Sequence, residues 1–265
     1  MKSPLVSVIV NCHNGQKYLS ECLKSILNQT YKNLEIIFWN NLSTDNSLQI
    51  INSFKDKRIK KFSSKKNLKL YNSRNQAIQQ AIGRYITFCD TDDYWRKNKI
   101  AEQMKLINKD KKIKIVYSNF YVQNDLKKTK YLQYTQKLPS GFITQNLLKK
   151  YVIGILTIMI DKEIFNNNKF NQSYNIIGDF DLFIKLSTKY KFYPIQKPLA
   201  TYRIHEDNFS LSKKDIYISE LKRWLTRNSK KKFLKEYSFF NVKIQLIKLK
   251  IKSFLYKYLK IKLGT

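Results

Sequence analysis

Four times in its first 110 residues the chain sets a short apolar, β-branched run before a polar turn and then apolar positions at helical spacing. Leu5 to Val10 is the first such run. It is followed by a turn at Asn14-Gly15 and by Leu19, Leu23, Ile26 and Leu27 on one face of a helix over Tyr18 to Leu27. A second strand is predicted at Leu34 to Trp39, with Ser43 placed to cap a helix running through Phe54. The third unit pairs Arg58 to Phe62 with a helix over Asn72 to Ile82, and the fourth pairs Arg84 to Cys89 with a helix over Trp95 to Ile107. Such alternation predicts an α/β, doubly wound sheet whose ligands collect where the strands end. The residues after Val10, Trp39 and Cys89 are therefore expected to line one crevice.

Beyond Lys112 strands dominate: Ile113 to Val122, Lys130 to Tyr134, Leu156 to Ile160 and Ala200 to His205, with a helix over Phe180 to Lys189 among them. No Gly, Pro or Ser-rich linker separates the halves, so residues 1–212 are read as one domain, with 1–110 and 111–212 as its two parts. Residues 213–265 are read as a basic helical extension. In it Phe240, Ile244, Ile247, Ile251, Phe254, Tyr258 and Ile261 fall at helical spacing among lysines. Such a helix suits an anionic membrane surface, or packing on the domain body or on a second subunit.

The formal charge of +32, from 51 basic and 19 acidic residues, draws the chain toward anions such as nucleotides, phosphoglycans, nucleic acids or lipid headgroups without choosing among them. Cys12, Cys22 and Cys89 are an odd number without metal-ligand spacing, which fits a reducing compartment. No signal peptide is read at the N-terminus, and the longest later apolar stretch, Tyr151 to Ile160, is half of what a spanning helix needs. A cytoplasmic location is expected, with peripheral attachment to the inner face of the cell membrane through the extension.

The strongest chemical signal is Asp90-Thr91-Asp92-Asp93, directly after a buried strand. Carboxylates crowded at a strand end call for a cation, and a hard divalent ion bridging to a diphosphate is the usual answer. With "VSVIVNCHNG", "IIFWNNLSTDNS" and "NSRNQAIQQAIGRYITFCDTDD", and later "IGDFDLFIKLS" and "TYRIHEDNFS", the chain resembles the family 2 nucleotide-sugar glycosyltransferases of the GT-A fold.

That resemblance implies roles residue by residue. Asn11 and His13 take the positions that cradle the nucleotide. Asn40-Asn41 stand where the family has two acidic residues, and Asn41 would face the base. Arg74 matches an arginine facing the crevice, beside a diphosphate. Asp90 would contact the ribose and the metal, and Asp92 would hold the divalent ion, Mn2+ or Mg2+. Asp179 matches the catalytic base, with Gly178 in place of the usual Glu, and His205 lies in a segment that closes near the diphosphate. Glu220, Arg223 and Trp224 are similar to the Q-x-x-R-W element of processive polysaccharide synthases, but those enzymes thread product through membrane helices that this chain lacks.

The implied activity is inverting, metal-dependent transfer of one sugar from a nucleotide diphosphate sugar to a glycan or lipid-linked acceptor, in cell-surface polysaccharide synthesis. Two other readings remain open. Asn40-Asn41 and Gly178 allow a degenerate member that binds donor without turnover. The charge allows a nucleic-acid-binding protein, disfavoured because no helix-turn-helix, zinc or RNP pattern is present.

Overall fold

The computed structural model describes residues 3–208 and 212–259, with side chains to residue 255. Phe209, Ser210 and Ile261 lie outside the described residues, as does the side chain of Tyr258. Strands β1 (Val6–Cys12), β2 (Leu34–Asn40), β3 (Ile59–Ser63) and β4 (Tyr85–Phe88) alternate with helices α1 (Leu19–Leu27), α2 (Ser47–Ser53) and α3 (Leu70–Gln80). Then come β5 (Tyr94–Trp95), α4 (Lys99–Lys109), β6 (Ile115–Asn124), β7 (Thr129–Leu132), α5 (Thr144–Lys149), β8 (Met159–Asp161) and α6 (Ile164–Asn167). The described chain closes with α7 (Gly178–Ser187), β9 (Phe192–Ile204), α8 (Lys214–Asn228) and α9 (Phe240–Leu259).

The strands form one mixed sheet in the order β3-β2-β1-β4-β8-β6-β9-β5, with β7 beside β6. β1 to β4 pair in parallel and β8 runs antiparallel between β4 and β6, so the second half extends the first half's sheet. Side chains alternate across the sheet. Val6, Val8 and Val10 meet α1 and α4 on one face, while Ile9 and Ile37 face the core shared with α3, α5, α7 and α8. Burial on both faces is why these strands read as unbroken apolar runs.

Three sequence expectations need correction. Ser43 is not a helix cap: α2 starts at Ser47, and the Ser43 hydroxyl instead accepts the Asn14 N–H at 3.0 Å. Trp95 belongs to the two-residue strand β5, paired with β9, and the helix starts only at Lys99. Leu156 lies in a 3-10 turn ahead of β8. Short apolar runs carry no period of their own, and in each case tertiary pairing decided the conformation.

In the C-terminal segment Leu221, Trp224, Leu225, Val242 and Leu246 join the core beside α7. The inward face of α9 is thus Val242, Leu246 and the half-buried Leu249. Most of the row singled out from sequence points away from the body: Phe240 is 65%, Ile247 56%, Ile251 53% and Phe254 56% exposed, whereas Ile244 is half-buried.

Candidate active site

The sheet order brings the ends of β2, β1 and β4 side by side, as the strand-turn-helix pattern requires. The loops after β1 and β2 are stitched together. Asn14, at φ +54, accepts the Thr44 N–H at 2.8 Å through its side-chain oxygen, and Ser47 Oγ accepts the Gly15 N–H at 2.9 Å. Asp45 accepts the N–H groups of Gln16 and Ser47, a structural role. Gly15 permits this packing, because a Cβ there would stand 2.9 Å from Thr91 Oγ1.

At the ends of β1 and β2, His13 Nδ1 lies 2.8 Å from the carbonyl of Asn41. The Asn41 amide donates to Asn67 Oδ1 and the Leu68 carbonyl, and its oxygen accepts from Ser64 Oγ and the Leu68 N–H. Both protons and both lone pairs of that amide are therefore engaged within the protein, holding the loop at 64–68. The buried Asn11 Nδ2 is without a partner among the described residues.

A cleft of about 570 Å³ runs from the end of β4 to the start of α7, and Arg74, Asp90, Asp92 and Asp179 all line it. Arg74 is 2% exposed and holds both Asp90 oxygens, at 2.6 and 2.8 Å, through Nη2. Burial alone would lower the guanidinium's pKa, but the Asp90 carboxylate outweighs it and holds the group above its ordinary value. Asp92 Oδ2 lies 3.0 Å from His205 Nε2 and accepts from Asn208 Nδ2 at 3.2 Å. Because His205 Nδ1 accepts the Asp207 N–H at 3.2 Å, the ring proton sits on Nε2, facing Asp92. Asp93 is buried and accepts the Arg203 N–H at 3.0 Å. Burial, with Asp92 and Asp90 beside it, pushes its carboxyl well above the usual range.

Asp179 occupies the first turn of α7, where the helix dipole favours a carboxylate. Ile177 holds the cap position, so Asp179 is inside the helix rather than its cap. Tyr71 OH donates to its Oδ1 at 3.1 Å and Tyr151 OH to its Oδ2 at 3.2 Å. Burial raises the carboxyl's pKa, offset in part by Arg74 and by these two hydroxyls. Both tyrosines are pushed well above their ordinary value by burial and by the Asp179 charge, so they remain donors.

Several supporting residues have roles that the sequence did not report. Glu220 accepts the N–H groups of Asn175, Ile176 and Ile177 at 2.6, 3.0 and 3.2 Å, fixing the turn into α7. Trp224 Nε1 donates to Asp181 Oδ1 at 3.0 Å and packs edge-on against Phe180. The E-x-x-R-W segment thus buttresses α7. Arg203, two residues before His205, is 5% exposed and turned to Glu21, Asp125 and the Asp92 carbonyl. Its contacts are long-range, which no local motif reports.

Among the described residues no three His, Cys, Asp or Glu side chains stand close enough to cage a metal ion. An ion completed by substrate phosphates and water needs only one or two carboxylates. Both hydrogen bonds to the Asp92 carboxylate fall on Oδ2, and a cation there would offset the carboxylate crowding that, with burial, raises the Asp93 pKa. This donor set fits a hard divalent ion at Asp92.

The sequence model of glycosyl transferase family 2 matches residues 7–186. The chain belongs to glycosyl transferase family 2. It is 32% identical over 210 residues to the Escherichia coli UDP-Glc:alpha-D-GlcNAc-diphosphoundecaprenol beta-1,3-glucosyltransferase WfaP, covering 79% of this chain and 81% of that protein. The fold of this family 2 glycosyltransferase is GT-A. Staphylococcus aureus TarS 1-349 in complex with UDP-GlcNAc superposes with a TM-score of 0.67 at 16% identity, over 97% of this chain and 76% of that one. The mannosyltransferase PcManGT from Pyrobaculum calidifontis, in complex with GDP-Man and Mn2+, gives 0.65 at 13% identity, over 93% and 70%.

Proposed function

We propose that this glycosyltransferase moves a single sugar from a nucleotide diphosphate sugar onto a glycan or lipid-linked acceptor, with inversion at the anomeric carbon, in cell-surface polysaccharide synthesis. The observation that carries this reading is Asp179, a carboxylate in the same cleft as Asp90, Asp92 and Arg74 and held there by two tyrosine hydroxyls. The acceptor oxygen attacks the anomeric carbon, its proton passes to Asp179, and the bond to the donor's diphosphate breaks with its electron pair leaving on the phosphate oxygen. A raised pKa makes Asp179 a stronger base for that proton than an exposed aspartate. Arg74 lies beside the ribose and diphosphate through Asp90, and Asn11 and His13 form the nucleotide end; Asn41, expected to face the base, instead spends its amide on Ser64, Asn67 and Leu68 and shapes that end only through the loop it holds. A divalent cation, Mn2+ or Mg2+, held by Asp92 with Asp90 beside it, would neutralise the departing diphosphate.

The lipid-linked acceptor named for the Escherichia coli relative supports the same acceptor class here. No helix among the described residues is long and apolar enough to cross a membrane. The exposed row Phe240, Ile247, Ile251 and Phe254, with Lys243, Lys248 and Lys250 around it, fits the surface of an anionic bilayer instead. Co-sedimentation with anionic vesicles tests this, comparing the full chain with Phe240→Ser/Ile247→Ser/Phe254→Ser; equal binding would refute it.

The decisive experiment is a thermal-shift and calorimetric screen of UDP, GDP, CDP and TDP sugars with and without Mn2+, followed by transfer assays. Asp179→Asn is expected to abolish transfer with donor affinity nearly intact, and Asp92→Ala to weaken metal-dependent donor binding. Retained transfer by Asp179→Asn would remove Asp179 from the role of base and favour a binder without turnover.

A further inference from the structure

A second depression, of about 580 Å³, adjoins the catalytic cleft and shares Tyr151, Tyr217 and Gln245 with it. It lies between the C-terminal end of α5 and the side of α9, and Lys149, Lys150, Lys248 and Lys252 are among its lining residues, none of which is Asp or Glu. Tyr151 is the hinge between the two spaces, since its hydroxyl holds the Asp179 carboxylate. Lys150 leans toward the cleft, with Nζ 5.3 Å from the centre of the Tyr134 ring, and Tyr134 OH donates to the Tyr151 carbonyl at 3.1 Å. Tyr217 OH accepts from Gln245 Nε2 at 2.9 Å, which closes the wall on the α9 side.

This arrangement has a direction. An acceptor sugar that hands its proton to Asp179 must lie on the Tyr151 side of the cleft, and whatever the sugar is attached to must leave over the shared wall. Past that wall come four lysines, and roughly a third of a turn further round α9 comes the exposed apolar row. Sugar, then dense negative charge, then hydrocarbon is the order of groups in a diphosphate-linked lipid acceptor. Two phosphates in a concave, carboxylate-free, lysine-lined groove gain charge-assisted hydrogen bonds that a neutral glycoside does not.

We propose that the groove between α5 and α9 is the binding site for the phosphate or diphosphate group of the acceptor, with Lys149, Lys150 and Lys248 as its principal ligands. The site deepens the glycosyltransferase reading given above and sets specificity for anionic, carrier-linked acceptors over neutral glycans. It is distinct from the donor end, which lies across Asp90 and Arg74.

The test uses the full chain and inorganic pyrophosphate as probe, in EDTA at an ionic strength of about 50 mM so that charge effects are not screened out. Without metal, Asp90 and Asp92 repel pyrophosphate from the donor end, so calorimetry reads the groove. Wild type is expected to bind, and Lys149→Glu/Lys248→Glu to bind at least about tenfold more weakly. Lys105→Glu/Lys109→Glu, an equal charge reversal on exposed positions of α4 across the sheet, is expected to bind within about twofold of wild type. Thermal shift by nucleotide sugar with Mn2+ is measured on the same samples and is expected to be unchanged by either double variant. Absence of pyrophosphate binding by wild type, unchanged binding by the groove variant, or equal loss in the α4 control overturns the proposal. Co-sedimentation with phosphatidylglycerol vesicles separates the two sources of phosphate: loss of vesicle binding with pyrophosphate binding retained assigns the lysines to bilayer headgroups and also overturns it. If no nucleotide sugar shifts wild type while the groove variant still loses pyrophosphate, the donor reading fails and the anion site stands.

Discussion

The ring of Tyr71 fills the space that a side chain on residue 178 would need: a Cβ on Gly178 would stand 2.5 Å from Tyr71 Cδ2. The glycine where the family pattern has Glu is therefore matched by a tyrosine from α3, and the hydroxyl of that tyrosine reaches the neighbouring Asp179. The missing side chain at 178 and the Tyr71 ring occupy the same space.

Gly178→Ala is expected to cost about 1–3 kcal/mol of stability by overpacking against that ring and to reduce transfer. Combining it with Tyr71→Ala should cost less than the two single changes added together, because the clash disappears. Denaturant melts of the four proteins of this cycle measure the coupling, and simple additivity would count against the contact.

The Asp179 side of the cleft was half legible from sequence. Asp90 and Asp92 stand out because carboxylates after a buried strand need a chemical reason locally, whereas Arg74 and Asp179 were reached only through the resemblance to the family. Tyr71 and Tyr151 do not stand out among 18 tyrosines, and Tyr71 meets Asp179 across 108 residues of chain. Glu220 was visible only as part of a motif whose usual context is missing. The outward row on α9 shows a different limit. A helix with apolar residues on two sides reports its period, but which side meets the body is decided by α8 and α5.

Tyr151→Phe removes one of the two hydroxyls that favour the charged form of Asp179, so the carboxyl's pKa rises further above its ordinary value. A base works when deprotonated, so transfer is lost as pH falls through that pKa. The acid limb of the kcat profile is therefore expected to move to higher pH in Tyr151→Phe, with donor KM little changed. An unmoved acid limb would mean that another group controls it.

Glu220→Ala leaves three backbone N–H groups at the entrance to α7 without their acceptor, at an expected cost of about 1–3 kcal/mol. Transfer should fall through kcat, since Asp179 sits two residues beyond that turn, while the donor-induced thermal shift persists. Loss of donor binding together with kcat would point to general unfolding instead.

Lys99 is fully buried under the sheet, donating to Thr87 Oγ1 at 2.9 Å and Gln103 Oε1 at 3.0 Å, over the Trp95 ring. Burial brings its pKa down from 10.5 to about 7. Between those values the unfolded chain holds a proton that the folded protein has released, so this group makes stability rise with pH from about 7 toward 10.5. Urea unfolding of wild type and Lys99→Met at pH 7 and at about pH 9.5 should show the difference in favour of wild type growing with pH. A pH-independent difference would show that the amine does not titrate in this window.

Arg203 ties the molecule together at a place with no chemistry of its own. Its side chain spans Glu21 on α1, Asp125 after β6 and the Asp92 carbonyl after β4, and its N–H holds Asp93. The two parts of the domain are joined behind the cleft as well as through the sheet, so a hinge that opened them would have to break all of these contacts together. Widening of the cleft at its rim alone would leave every one of these contacts intact.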